Sequence, residues 1–438
     1  MTIPQPAAPA AGGGEAEAAY ERFVWANLPR NFAGHFLHGM LGMTGFRLFN
    51  APTFLPAYLH LISGSDFVVG LGQSLQQLGG VVSPVIGAAH IEHRKRVLPV
   101  AMLMGTLMRI PILGVALAGF FVHGRALLPA ILALLFFLGL FSGAQSVAFQ
   151  LLLGKVIPIV RRGRLQALRN VTGGAIAAGL AWAAGKWLIQ RNVLGNGYAT
   201  TFGLAFVLTS LGLSALSILM REPEPPTVRE RARVSERLRD FPALLAGDPG
   251  FAWFILAQSL ATAARVAAPF YILFAGRYLP LDGATLGYLS LAYLGADTLT
   301  NLGWGLAGDR FGFKSTFVVS LGLWTAATAL LLAAPQLPGA RGWILAAFFG
   351  LGAAQSGFLM SSQTMVLEFG AREDVPMRLA MTTMGQGVMS AAGPLAGGVI
   401  AAAFGYGTLF VVSMVFLVVA LVLLISLVDE PRWRRPVA

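Results

Sequence analysis

The chain contains no cysteine and few charged residues. Without cysteine, none of its 438 residues can form a disulfide or a thiolate metal site. Charged side chains make up 11% of the chain, whereas soluble domains contain about 25%. Hydrophobic residues make up 56%, and the mean hydropathy is +0.70. Most of the protein surface is therefore expected to face lipid, which makes the lipid bilayer the first expected partner.

Twelve apolar runs in the chain are long enough to cross a bilayer as helices, which takes about 20 residues each. Numbered span 1 to span 12, they lie at 31–61, 66–90, 97–121, 127–153, 166–189, 198–220, 251–278, 284–307, 314–335, 342–368, 377–403 and 405–428. The chain also contains 53 glycines, and small residues allow membrane helices to pack closely. The sequence therefore predicts an all-α membrane protein with twelve transmembrane helices.

Basic residues outnumber acidic ones, with 31 Lys and Arg against 19 Asp and Glu. When both termini are placed in the cytoplasm, most of the basic residues fall in cytoplasmic loops, as the positive-inside rule requires. Topology thus explains the positive charge, and nucleic acid is not expected as a partner. We expect an integral protein of a bacterial-type inner membrane. Its extramembrane parts would be a disordered cytoplasmic tail at 1–30, a cytoplasmic linker at 221–250 and a second tail at 429–438.

The chain repeats itself at one fixed offset. Arg47 in span 1 aligns with Arg265 in span 7, and the same offset aligns residues 87–96 with residues 305–314. Duplicated membrane bundles place their shared site between the two halves, near the bilayer midplane. We therefore expect two pseudo-symmetric six-helix bundles with a site between them, at residues 31–220 and 251–428.

The segment Gly305-x-x-x-Asp309-Arg310-x-Gly312-x-Lys314, between spans 8 and 9, resembles motif A of the major facilitator superfamily. The resemblance implies a bundle in which spans 1, 4, 7 and 10 line a central cavity. It also implies that this loop helps to close the cytoplasmic side. The first-half copy departs from the motif, since Ile91 stands where Asp is expected and Glu92 follows. The gating residues implied by the resemblance are Gly305, Asp309, Arg310, Glu92, Arg164 and Arg378.

In such a gate, Gly305 would let two helices approach closely. Asp309 would pair with Arg378, and Glu92 would face Arg164 in the first half. The alternative is that these residues are ordinary loop charges that follow the positive-inside rule. The motif says nothing about the substrate, so the substrate site has to be sought among the ionisable residues within the spans.

Four ionisable residues fall at mid-membrane depth: Arg47, Arg109, Arg265 and Asp297. Charged groups are costly in a bilayer and therefore mark candidate functional sites. Arg47 and Arg265 occupy equivalent positions in the two halves, and a guanidinium can donate in pairs to a carboxylate or phosphate. Organophosphate–phosphate antiporters of the superfamily also place an Arg on spans 1 and 7. We predict an anion clamp, formed by these two arginines and lined further by Thr44, Asn50, Thr262, Gln145 and Gln355.

Asp297, in span 8, is the predicted proton-coupling residue because it is the only acid at this depth. A substrate anion that competes for Arg265 would free Asp297 to take a proton. The alternative is a permanent structural pair between these two residues. Arg109 is expected to be structural. His35 and His38 either relay protons or cap an interface, and two histidines without a third ligand do not predict a metal site.

These features predict a secondary transporter that moves a small organic anion, bearing a carboxylate or a phosphate, by alternating access. The alternative is a transporter or exporter of neutral, amphipathic, lipid or drug-like compounds, with a structural Arg265–Asp297 pair. A membrane receptor or assembly factor is a third hypothesis, weakened by the lack of an appended soluble domain. An enzyme is not expected, because the sequence shows no buried nucleophile–base set, phosphate-binding glycine loop or metal-ligand cluster. No cofactor is expected, and the protein is expected to be a monomer.

Overall fold

The computed structural model describes residues 14–91, 96–224, 245–370 and 375–431, and the regular structure in these ranges is helical. The helices form twelve spans. The first six are Leu28–Phe49 with Phe54–Ser63, Asp66–Ile91, Leu98–Phe121, Leu127–Val156, Ile159–Ala183 with Ala184–Ile189, and Gly197–Leu219. The last six are Pro249–Ala263 with Ala264–Phe270 and Tyr271–Ala275, Gly283–Phe311, Phe313–Ala333, Ala340–Val366, and Val375–Leu427, which contains spans 11 and 12. Gly405, with φ 81°, separates these last two spans.

The spans differ in how apolar they are. In the described part of the chain, seven helical stretches are long and apolar enough to cross a membrane by length and composition alone. These stretches are spans 3, 4, 6, 7, 9 and 10, with spans 11 and 12 counted together. Spans 1, 2, 5 and 8 are more polar, because they carry His, Gln, Arg and Asp side chains that line internal cavities. The more polar spans therefore contribute many of the polar side chains of these cavities.

The structure differs from the disordered tail that was expected at residues 1–30. Gly14–Ala26 form a helix that leads almost directly into span 1 at Leu28. Tyr20 Oη donates a 2.9 Å hydrogen bond to the carbonyl oxygen of Lys155, and Val24 is buried. The Tyr20 hydrogen bond attaches the N-terminal helix to the end of span 4.

The beginning of the expected linker is also part of the fold. Glu222 accepts hydrogen bonds from the backbone N–H groups of Val97 at 2.6 Å and Leu98 at 2.8 Å. It also pairs with Lys155 at 3.0 Å. A carboxylate at a helix N-terminus satisfies free N–H groups and interacts favourably with the helix dipole. Glu222 therefore fixes the start of span 3, while residues 225–244 of the expected linker lie outside the described residues.

Spans 1 and 7 are both interrupted at similar depth. Span 1 is broken between its two helices at Pro52, and span 7 contains the 3-10 segment Ala264–Phe270, which includes Pro269. Proline lacks the backbone N–H and clashes with the preceding helical turn. Pro52 and Pro269 lie about one turn beyond Arg47 and Arg265, the two arginines of the predicted clamp, and Arg265 itself lies within the 3-10 segment. Broken helices at the midplane are typical of binding sites in duplicated membrane bundles.

The two halves pack through small residues. Span 2 lies on span 11, where a Cβ on Gly70 would overlap the carbonyl oxygen of Pro394. Span 5 lies on span 8, where a Cβ on Gly185 would overlap the carbonyl oxygen of Gly283. Small residues allow the backbones of two membrane helices to come into direct contact. These two helix pairs therefore hold the halves together without bulky side chains between them.

The contacts between the halves are concentrated towards one end of the bundle. We name the end that carries helix Gly14–Ala26 and the charged loops the basic end, and the opposite end the far end. On the far side of Arg47, hydrogen bonds between the halves join Thr53 to Ser290, Gln190 Oε1 to Ala284 N, Ser74 Oγ to Leu395 N, and Asp66 Oδ1 to Tyr406 Oη. A large cavity reaches the basic end, between spans 4 and 5. The structure is therefore closed at the far end and open towards the basic end.

The Thr53–Ser290 hydrogen bond offers a direct test of this state. In the double variant Thr53→Cys Ser290→Cys, the two thiols should form a disulfide, because hydrogen-bonded hydroxyls bring their Cβ atoms near disulfide separation. The native chain has no cysteine to compete. After cleavage at a protease site inserted within 225–244, the oxidised variant should run as one band on a non-reducing gel. Thr53→Cys alone should give two bands, and two bands from the double variant would contradict the contact.

Candidate functional site

A central cavity of about 480 Å³ lies between the two halves. It is formed by spans 1, 2, 4, 7, 8 and 10, which agrees with the cavity helices that the motif implied. Its apolar side chains include Phe46, Leu294 and Leu359. Its polar side chains are Arg47, Asn50, Gln73, Gln76, Gln77, Arg265, Tyr293, Asp297 and Gln355, with Ser142 at its edge. The two arginines of the predicted clamp thus line the same space, together with the buried acid.

An ion pair between the halves crosses this cavity. Arg47 Nη1 lies 2.8 Å from Asp297 Oδ2, with side-chain exposures of 25% and 14%. The same nitrogen lies 3.5 Å from Thr298 Oγ1. A Cβ on Gly174 of span 5 would overlap this hydroxyl and approach Arg47 Nη1 to 3.1 Å. Gly174 is therefore needed for the pair to form, and the sequence offers only its Gly173-Gly174 dipeptide as a signal.

The expected Arg265–Asp297 pair is wrong, because Asp297 binds the arginine of the opposite half. Among the described residues, Arg265 has neither an ion-pair partner nor a hydrogen-bond partner. It lies in the 3-10 segment of span 7 and lines the central cavity with Tyr293. Tyr293 precedes Asp297 by one turn, so both side chains point to one face of span 8. Arg265 is therefore the cation available to a ligand in this state.

Amide side chains make up much of the remaining polar lining. Gln76 Nε2 donates to Asn50 Oδ1 at 2.8 Å, and Asn50 Nδ2 donates to the carbonyl oxygen of Phe46 at 3.1 Å. Gln73 and Gln77 of span 2 line the cavity near Arg265. The cavity therefore offers hydrogen-bond donors and acceptors around its charged centre.

Three predicted lining residues lie elsewhere. Thr44 is fully buried against span 5, where its hydroxyl donates to the carbonyl oxygens of Met40 at 2.7 Å and Gly173 at 3.2 Å. Thr262 lines a small side cavity of about 60 Å³ beside Arg265. Gln145 faces a different cavity in the first half. Helix spacing placed these residues on a suitable face, but it could not tell which neighbouring span covers that face.

A second, wider cavity of about 840 Å³ extends from Arg47 to the basic end. It shares Phe46, Arg47 and Ser142 with the central cavity. Of the described residues that line it, only Gln363 comes from the second half, and none is an Asp or Glu. Its cationic or titratable lining residues are His35, His38, Arg47, Arg109, Arg162 and Arg169. The route from the basic end to the ion pair is therefore strongly electropositive.

The expected structural role of Arg109 fits its contacts. Arg109 is buried, and its Nε donates to the carbonyl oxygen of Thr209 in span 6 at 2.8 Å. Its Nη1 donates to the carbonyl oxygen of Gly105, one turn earlier in span 3. Backbone carbonyls satisfy this guanidinium, so it holds spans 3 and 6 together beside the wide cavity.

The comparisons with known proteins agree with this architecture. Residues 254–437 match the Major Facilitator Superfamily, and no curated protein sequence matches the chain significantly. A mutant of the nucleoside transporter NupG superposes with a TM-score of 0.68 at 15% identity, over 90% of this chain and 99% of that one. A D-xylose-proton symporter superposes with a TM-score of 0.67 at 14% identity, over 94% of this chain and 99% of that one. The second half of the chain therefore matches this superfamily, and the whole chain shares the fold of these transporters. A bacterial homologue of the iron transporter ferroportin, in an inward-facing state, superposes with a TM-score of 0.66 at 14% identity, over 93% of this chain and 100% of that one.

The residues that resemble motif A make contacts other than those expected. Arg378 Nη1 pairs with Asp248 Oδ2 at 2.8 Å, rather than with Asp309, and its guanidinium lies over the ring of Phe251. Asp309 and Arg310 are exposed, and Arg310 lies over its neighbour Phe311. Arg164 is exposed, and Glu92 lies outside the described residues. The expected Arg378–Asp309 pair is therefore replaced by the Arg378–Asp248 pair within the second half.

Glycine contacts in the same segment also differ from expectation. A Cβ on Gly305 would meet only Met360, at an ordinary 3.7 Å, so no close helix approach depends on Gly305 in this state. Gly312 is the constrained position, since its φ is 87° and a Cβ there would overlap the carboxylate of Glu430. Glu430 Oε2 accepts a hydrogen bond from Lys314 N at 3.2 Å. The segment is therefore fixed by the end of span 12.

A double-mutant cycle would test the assignment of the ion pair. Arg47→Gln and Asp297→Asn should each destabilise the protein, because each leaves a partly buried charge without its partner. The double variant should lose less than the sum of the two, with a coupling of about 1–3 kcal/mol. Arg265→Gln with Asp297→Asn is the matched control, and the effects of its two changes on thermal unfolding should be additive. Strong coupling in the control alone would restore the Arg265–Asp297 pair.

Proposed function

We propose that the protein is a secondary transporter of a small organic anion. The observation that supports this most is the charge distribution of the two connected cavities. Their described lining contains Arg47, Arg109, Arg162, Arg169 and Arg265, but Asp297 as the only carboxylate. A cavity with this excess of positive charge attracts anions and opposes cations. Because a fold does not determine a substrate, the proposal rests on the site itself.

The size and lining of the central cavity support an organic substrate. A volume of about 480 Å³ falls in the range of small-molecule sites, about 300–1,000 Å³. Apolar groups from Phe46, Pro52, Pro56 and Leu359 would contact a carbon skeleton. Arg47 and Arg265 would bind a carboxylate or phosphate group from opposite halves. Asn50 and Gln355 would bind its remaining polar atoms.

Asp297 gives this site a coupling mechanism. An anion that enters between Arg265 and Arg47 competes with Asp297 for the Arg47 guanidinium. Once displaced, Asp297 is a buried carboxylate without its cation, and a proton neutralises it. Anion arrival would thus be linked to proton uptake, with Arg47 as the exchange partner instead of the expected Arg265. The halves, no longer joined by this ion pair, could then rock about the contacts of spans 2, 5, 8 and 11.

The closing contacts of the basic end are part of the same proposal. In a state closed at that end, Asp309, Arg310 and Arg378 would approach the first half, as the resemblance to motif A implies. Glu92 and Arg164 would act from the first half, and Gly305 would then have a close neighbour. The basic end is proposed to be cytoplasmic, following the positive-inside rule.

A neutral polar substrate is the second candidate. Five amide side chains line the central cavity, and amides bind hydroxyl groups well. Two of the similar structures are a nucleoside transporter and a D-xylose-proton symporter. In that case the Arg47–Asp297 pair would act only in conformational switching. Arg265, which has no partner among the described residues, is the feature that this candidate leaves unexplained.

Ligand-induced stabilisation would separate the two candidates. Purified protein should be stabilised against thermal unfolding by carboxylates or phosphate esters, and not by nucleosides or sugars, because binding to the folded state raises apparent stability. Arg47→Lys and Arg265→Lys should each weaken binding of the stabilising anion about tenfold or more, since Lys keeps the charge but loses the planar fork of donors. Thr44→Ser, which lies outside both cavities, should change little. Stabilisation by sugars in the Lys variants would favour the neutral substrate.

Transport by Asp297→Asn would test the coupling. In proteoliposomes, this variant should lose anion uptake driven by a pH gradient, because it has no carboxylate to protonate. It should retain exchange of anion for anion, which needs no net proton movement. Its gel-filtration profile should match the unaltered protein. Normal gradient-driven uptake in this variant would rule out Asp297 as the proton site.

A further inference from the structure

A second group of cationic and titratable side chains lies in the wide cavity, away from the clamp. His35 and His38 are on span 1, and Arg169 reaches them from span 5. His38 and Arg47 are on one continuous helix, about 14 Å apart along its axis at 1.5 Å per residue. A single small anion therefore cannot touch both groups. The proposed exchange at Arg47, Arg265 and Asp297 makes no use of this second group.

This second group contains unsatisfied polar atoms. His35 is 1% exposed and His38 is 5% exposed. Within the described ranges, His35 Nε2, His38 Nδ1 and Arg169 Nε are buried and have no hydrogen-bond partner. Buried polar atoms in native proteins are nearly always hydrogen-bonded, and each exception calls for an explanation. A ligand that binds here would satisfy all three atoms.

The packing around these side chains is specific. A Cβ on Gly39 would overlap Arg169 Nε, so this guanidinium lies directly against span 1 at Gly39. Arg169 Nη1 donates to Gln166 Oε1 at 2.9 Å, and His38 stacks on Phe149 with ring centres 4.5 Å apart. These contacts fix the side chains before any ligand arrives, as in a preformed site.

The donors and acceptors of these side chains define the chemistry of the ligand. A neutral imidazole has one donor nitrogen and one acceptor nitrogen, so the unpartnered nitrogens of His35 and His38 allow the site to accept from an O–H as well as to donate to an oxygen. Arg169 donates hydrogen bonds and accepts none. The site therefore suits a group with both anionic oxygen and an O–H, and Arg109 and Arg169 add positive charge from spans 3 and 5.

We propose that His35, His38 and Arg169 form a second anion site, which binds an oxyanion that carries its own proton, such as a monohydrogen phosphate group. One anionic oxygen accepts from Arg169 Nε, and the O–H donates to His38 Nδ1. His35 Nε2 binds a third oxygen. A role as an intermediate binding site for the substrate, between the clamp and the basic end, rests on the proposed function. As an anion site, it stands independently.

Calorimetric titration with inorganic phosphate, using sulfate as the comparator without an O–H, would test the site. The clamp variant Arg47→Gln Arg265→Gln isolates it from the central cavity. This variant should still bind phosphate, and should bind it more tightly than sulfate. Adding Gly39→Ala should weaken phosphate binding about tenfold or more, because the added methyl group displaces Arg169, which donates charge-assisted hydrogen bonds. Adding Gly179→Ala, on span 5 like Arg169 but with no described atom within 4 Å of its added Cβ, should leave phosphate binding unchanged.

Two results would overturn the second site. One is equal binding of phosphate and sulfate by the clamp variant, and the other is phosphate binding that Gly39→Ala does not weaken. If Gly39→Ala fails to fold, Arg169→Gln in the clamp background should show the same loss, with gel filtration as the folding control. Failure of the clamp proposal can be distinguished from failure of the second site. In that case the clamp variant and the unaltered protein would bind organic anions equally, while the effect of Gly39→Ala on phosphate remained.

Discussion

A guanidinium inside a membrane bundle needs a counter-charge or several acceptors, and the three deeply placed arginines meet this need in different ways. Backbone carbonyls of spans 3 and 6 satisfy Arg109. A carboxylate of the opposite half neutralises Arg47. Arg265 has neither among the described residues. Removing a charge from water is costly. The ion pair between Arg47 and Asp297 offsets this cost for two charges and joins the halves at mid-depth. In the described part of the chain, Arg265 is left without a counter-charge in the central cavity.

Local features of the fold keep that ion pair in place. The break at Pro52 ends the first helix of span 1 just after Arg47, and Gly174 lets span 5 approach the guanidinium. The hydrogen bonds at the far end hold span 8 close enough for Asp297 to cross between the halves. At the basic end, the carboxylates of Glu222 and Glu430 fix helix starts within one half each. Charges thus join the halves at mid-depth and stabilise each half separately at the basic end.

The sequence predicted the spans well, because even the more polar spans 1, 2, 5 and 8 keep enough apolar residues over the length that a membrane helix requires. It also predicted that Arg47 and Arg265 share a cavity, because duplication places equivalent residues around one axis. It gave the wrong partner for Asp297, since depth and order along the chain cannot show which half a side chain faces. Arg169 escaped notice because it resembled an ordinary positive-inside charge. The helix at Gly14–Ala26 was missed because its stability depends on Tyr20 contacting span 4, a contact that composition does not contain.

The two halves are alike in design but unequal in charge. The wide cavity and nearly all of its cationic lining belong to the first half, whereas the buried carboxylate belongs to the second. In the proposed function, an anion would therefore act mainly on the first half and a proton on the second. Both would act on the same bond, since the anion competes for Arg47 and the proton neutralises Asp297. In the proposed function, one ion pair between unequal halves would thus link anion movement, proton movement and the relative motion of the two bundles.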